Sequence, residues 1–146
     1  MKNKKTSKFL ILLMIVTLLI PAFGSVAYAE SVEVDSNEMR TPVSYLISFT
    51  AANSVRGDVD AYVSCSGYAS YIKSKITLQS APLNSSSYTN VSGVLPSTYT
   101  VYNTSYIDHI CSFPISSGKN YRIKVEITDN VNGKEATATL YKTLTR

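Results

Sequence analysis

The chain has 146 residues, with 14 Lys and Arg against 10 Asp and Glu, two cysteines and no tryptophan. Lys2, Lys4, Lys5 and Lys8 carry the whole excess of +4, so the rest of the chain holds ten basic and ten acidic residues and offers no net basic surface to nucleic acid. Six Gly and five Pro exclude a collagen-like chain and argue against a disordered one.

The basic start is followed by an apolar run from Phe9 to Ile20, then Pro21, Gly24 and Ala27-Tyr28-Ala29. A basic head, a short apolar stretch and small residues around a cleavage point make an export signal. The run is shorter than the ~20 residues of a spanning helix, and Pro21 interrupts it. Cleavage after Ala29 is expected. The product would start at Glu30, be secreted, and have no membrane partner.

Residues 30–42 are polar and acidic, with Glu30, Glu33, Asp35 and Glu38 against Arg40. They read as a flexible lead. From Val43 the apolar residues recur at every second position, the mark of a strand buried on one face. Val43, Tyr45, Ile47, Phe49 and Ala51 form the first such run. Asp58 to Ser66 form the second, with Asp58, Asp60, Tyr62 and Ser64 facing outward. Gly67 to Ser70 read as a loop. Ile72, Ser74, Ile76 and Leu78 alternate with Lys73, Lys75, Thr77 and Gln79 in a third. Tyr88 to Val94 is a weak strand, and Thr98 to Phe113 is a long or bent one.

Tyr121 to Thr128 alternate strictly. Tyr121, Ile123, Val125 and Ile127 lie on one face, and Arg122, Lys124, Glu126 and Thr128 on the other. Asn132-Gly133 is a tight-turn pair, and Ala136, Ala138 and Leu140 return on one face. A lone hairpin is marginal in water, so the other strands must cover it. Residues 43–146 are therefore expected to form one all-β domain, an antiparallel β-sandwich of about seven strands. Ile123, Val125 and Leu78 should centre its core, with Arg122 and Lys124 in solvent.

Cys65 and Cys111 each share parity with inward residues. In an exported chain an even pair reads first as a disulfide. The alternative is two buried free thiols, since free Cys packs as a small hydrophobe.

The run Gly67…Ile72-Lys73-Ser74-Lys75-Ile76-Thr77-Leu78-Gln79, then Ser117-Gly118-Lys119-Asn120-Tyr121-Arg122-Ile123-Lys124-Val125 and Asn132-Gly133-Lys134-Glu135, resembles small exported proteins of Gram-positive bacteria. Those proteins have one immunoglobulin- or fibronectin-III-like domain and no assigned function. The resemblance implies a fold and no chemistry. It places Tyr121 at a tyrosine corner, its hydroxyl bonding back to the backbone. There is no core Trp, and no Cys two residues after Tyr121.

Candidate chemistry is sparse. His109 is the single histidine, and on a strand it shares a face with Cys111. Asp108 would point away, and no third group is evident. One His and two Cys do not complete a zinc site, and Asp58 with Asp60 reads as a solvated face. No catalytic residue, metal or cofactor is expected. Ten tyrosines among Ser, Thr and Asn in residues 30–146 give the composition of a recognition surface. Tyr68, Tyr71 and Tyr102 are its candidates. Arg122 and Lys124, with Lys73 and Lys75, would add a basic stripe that Glu126 interrupts. Such a surface suits a cell-wall polymer or an extracellular protein. The expected function is non-enzymatic surface recognition; the rival is a small secreted effector, an antimicrobial protein or inhibitor.

Overall fold

The computed structural model describes residues 33–35 and 44–145. Every described strand belongs to one compact unit, Val32–Arg146. The export signal, its cleavage point and most of the lead lie outside the described residues.

The elements are all strands: β1 (Glu33–Asp35), β2 (Ser44–Ala51), β3 (Arg56–Pro82), β4 (Thr89–Asn90), β5 (Ser97–Pro114), β6 (Lys119–Val131) and β7 (Lys134–Thr143). All pair antiparallel in a single sheet, in the order β1-β7-β6-β3-β2, with β4 and β5 also on β3. β6 shows why the pattern yields a strand: from Asn120 onward its residues alternate half-buried and buried. The β6–β7 turn uses Asn132 and Gly133, with φ of 56° and 74°. Two successive positive φ values give the tight turn whose twist matches the flanking strands.

The structure differs from the sequence reading at residues 58–79. The two strands expected there, and the loop between them, are one strand of 27 residues. β3 pairs with β2 through Gly57–Ser64 and with β6 through Ala69–Pro82. The register slips between Ser64 and Tyr71. There the inward parity changes from Val59, Ala61 and Val63 to Ile72, Ile76 and Leu78. An extra residue on one strand bends it and shifts its side chains to the other face. β5 runs beside β3 on both sides of this slip.

The slip is a crease. His109 lies opposite Ala61, thirteen residues along β3 from Ser74. Fully extended, that stretch would span about 40 Å. Yet His109 Nδ1 and Ser74 Oγ are 2.9 Å apart. The long β3–β5 ribbon therefore folds back on itself and makes two leaves, one containing β2 and one containing β6 and β7. Their inner faces share one core of Ile47, Phe49, Val59, Ile107, Ile72, Leu78, Ile123, Val125 and Leu140. The leaves also meet at one rim. Thr145 donates to the carbonyl of Phe49 at 2.9 Å and accepts from the amide of Ala51 at 3.1 Å.

The all-β, antiparallel expectation agrees with these strands. Ile123, Val125 and Leu78 are at most 2% exposed, as the alternation required. Within the acidic stretch read as lead, Glu33–Asp35 pairs with β7.

The expected disulfide is absent: Cys65 and Cys111 are not bonded to each other. Register explains it. Cys111 lies opposite Val59, six residues from Cys65 on the same strand. That separation is about 20 Å, whereas a disulfide needs Cα atoms within about 7 Å. Shared inward parity was sound but said nothing about position along the strand.

Candidate functional site

Two places hold the residues singled out in the sequence. The first is the outer face of the β5-β3-β6-β7 leaf. Tyr71 and Tyr102 are cross-strand partners there, their ring centroids 6.5 Å apart. The Tyr71 hydroxyl donates to Glu135 Oε1. Ser70 Oγ donates to the carbonyl of Asn130 at 3.1 Å. Tyr102 is 69% exposed, and Lys73 stands in the next outward row beside Thr100. Tyr68 is also exposed, but it sits at the crease and makes no ring contact with either tyrosine.

The basic stripe is changed by its neighbours. The Arg122 guanidinium stacks between Tyr88 and Tyr141, 4.4 Å from each ring centroid. Its Nε donates to Gln79 Oε1 at 2.7 Å. Both faces of the cation are thus occupied, a geometry suited to Arg and not to Lys. Lys124 donates to Glu126 at 2.9 Å, and Lys75 approaches the other oxygen of Glu126 at 3.5 Å. Burial alone would raise the Glu126 carboxyl; the Lys124 hydrogen bond and the two lysine charges outweigh it and hold the group below its ordinary value. Of the predicted binding residues, the structure brings Tyr71 and Tyr102 together. It leaves Tyr68 apart and commits Arg122 and Lys124 to local partners.

The second place is the buried histidine. His109 is 4% exposed. Its Nε2 lies 2.9 Å from Ser97 Oγ and its Nδ1 2.9 Å from Ser74 Oγ. A neutral imidazole has one donor and one acceptor nitrogen, and a hydroxyl answers either. Burial lowers the His109 pKa below 6.5. Tyr99 packs against the ring at 5.7 Å between centroids. A cavity of about 360 Å³ opens beside it, lined by Ser97, Thr98, Tyr99, Asp108, His109 and Ile110. Ser74 and Ser97 could not be found by spacing, since only the crease brings them to His109.

The imagined Cys–His pair does not form. Burial pushes the Cys111 thiol up, and its hydrogen bond to Ser97 opposes that only in part. Such a thiol is the reverse of an activated nucleophile. Both ring nitrogens of His109 meet serine hydroxyls and neither meets a carboxylate. Asp108 points to the outer face, where Asp60 lies. Burial first, then the Asp108 charge and hydrogen bond, raise the Asp60 carboxyl. Among the described residues no group of three His, Cys, Asp or Glu could hold a metal ion. Cys65 instead donates to Asp129 Oδ2 at 3.5 Å.

Comparison with protein-family models, characterised proteins and solved structures finds no match to this chain.

Proposed function

We propose that the protein is an exported, non-enzymatic recognition module of immunoglobulin-like sandwich type. It binds a hydroxyl-rich cell-wall polymer on the outer face of the β6–β7 leaf. The observation that carries this is the Tyr71–Tyr102 pair. Two rigid rings lie side by side on a β surface, flanked by Asn130, Glu135, Thr100 and Thr128. Amphipathic rings among small polar groups supply contact area at little entropic cost. Tyrosine faces also stack on the apolar faces of sugar rings, while the surrounding amide, carboxylate and hydroxyl groups meet the sugar hydroxyls. The flanking side chains come from regular strands, which position groups better than loops do.

The sandwich reading draws support from Tyr121. Its hydroxyl accepts from the backbone amide of Ser116 at 3.1 Å and lies 2.9 Å from Ser116 Oγ. That is the bond a tyrosine corner makes. The two leaves also face each other across one core, as sandwich layers do. The non-enzymatic reading draws support from the raised thiol and the buried imidazole without a carboxylate behind it.

Pull-down on isolated cell walls tests the proposal. Tyr71→Ala with Tyr102→Ala should weaken retention by about tenfold, since aromatic contacts at such sites each contribute on the order of 0.5–1.5 kcal/mol beyond area. Lys124→Ala should leave retention nearly unchanged. Equal retention of the tyrosine variant and the parent, or no retention of either, overturns it.

A further inference from the structure

Among the described residues β5 pairs with β3 and with no other strand, along Ser97–Pro114 except at Asn103 and Ser105. Its far side, eighteen residues long, pairs with no described strand. Edges of that length ordinarily carry lysines, prolines or short runs that block pairing. β5 has no Lys or Arg, one charge at Asp108, and proline only at its last residue. Nine of its eighteen residues are Tyr, Thr, Val or Ile, which favour strands. Tyr99, Tyr102, Tyr106 and Ile110 on it are all about half exposed or more.

We infer that β5 pairs antiparallel with β5 of a second copy, about a two-fold axis at Thr104. A two-fold contact requires a surface complementary to itself, and two features of β5 meet that requirement in one register. Directly opposed residues share a face. With the axis at Thr104, Tyr102 lies opposite the second copy's Tyr106. Tyr62 already stacks on Tyr106 at 5.8 Å, and Tyr71 already neighbours Tyr102 at 6.5 Å. Joining the edges makes two rows of four rings.

The charges then match. Thr100 lies opposite the second copy's Asp108, and Thr98 opposite its Ile110. Behind Thr100 and Thr98 on β3 stand Lys73 and Lys75; behind Ile110 stands Asp60. Each edge thus has Asp60 and Asp108 toward one end and Lys73 toward the other, Lys75 being engaged with Glu126, and antiparallel pairing sets acid beside base. Asp108 and the second copy's Lys73 are two strands apart, about 10 Å between Cα atoms, which a lysine stem spans. Asn103, at a φ of 51°, and the Thr104 turn interrupt the ladder at the axis itself. Both copies crease there, so the creases align. The inference does not rest on polymer binding.

Sedimentation velocity on the natively produced protein, in the processed form the cell leaves, gives the test together with hydrogen exchange. A concentration-dependent dimer is expected, with β5 amides gaining protection as it forms. Asp108→Lys should weaken the dimer by about tenfold, because like charges then face each other. Within one copy that change relieves the Asp60–Asp108 repulsion, so the fold survives. Adding Lys73→Glu should restore the dimer. A monomer at every concentration overturns the inference. So does a dimer whose β5 amides exchange freely, or one indifferent to both charge changes.

Discussion

His109 shows at the scale of one residue how burial and hydrogen bonding decide a charge state. Its two hydroxyl partners satisfy a neutral ring, and burial disfavours the charged one. The unfolded imidazole titrates near its ordinary 6.5, and the folded one below it. Between those values the unfolded chain holds more protons, so stability rises with pH across that window. It is fully present above 6.5 and falls as pH drops toward the lowered native value. Two carboxylates act from lower starting points, 3.8 and 4.5, and oppose each other. The raised Asp60 adds stability at low pH that is lost as pH rises through its folded value. The lowered Glu126 adds stability at higher pH that is lost as pH falls through its folded value. Urea melts across this range should show a fall beginning near pH 6.5. In His109→Gln that part of the slope should vanish. The same slope in the variant would place the titration elsewhere. The thiols were misread at this scale for a simple reason: parity gives a face, and a disulfide needs a distance.

At the scale of the element, β6 makes the sharpest contrast. Val125 is fully buried, while the neighbouring Lys124 lies on the outer face with Glu126. Val125→Asp would bury a carboxylate with no partner, and the domain should not fold. Lys124→Asp loses a partly exposed ion pair and sets two carboxylates together, at a cost of about 1 kcal/mol. Circular dichroism and urea melts of both variants check the register, since a slip of one residue would exchange their effects. This hairpin was legible because every level agrees: strict alternation, a turn pair with positive φ, and a return strand of matching parity. β2 was legible from its alternation, and β5 only as a long or bent segment. β3 was not. Gly67 to Ser70 carries turn-forming residues, and a bulge inside a long strand uses the same residues as a loop between two. Tyr71 and Tyr102 were legible as exposed strand tyrosines, but their pairing depends on that bulge. The Ser74–His109–Ser97 chain depends on the crease that follows from it.

For the whole molecule, the question is what holds two leaves of one creased sheet together. The shared apolar core does most of it, and its residues come from five strands. One rim is closed by the crease, where β3 and β5 pass from leaf to leaf. Among the described residues no strand runs continuously through the opposite rim. There residues 144 and 145 act as a clasp: Leu144 donates to the Tyr121 carbonyl at 2.9 Å, and Thr145 makes its two backbone bonds to β2. Leu144 also packs against the core. Three backbone bonds at about 1 kcal/mol each, with some apolar burial, suggest a loss of about 2–4 kcal/mol when residues 144–146 are removed. The loss should not be uniform. β2 is bound to β3 on one side and to the clasp on the other, so its amides should lose protection first. The β6 amides, paired on both sides, should follow only with global unfolding. Native-state hydrogen exchange on the truncated chain separates these. If β2 and β6 lose protection together, the leaves form one cooperative unit held by the core alone, and the clasp contributes nothing of its own.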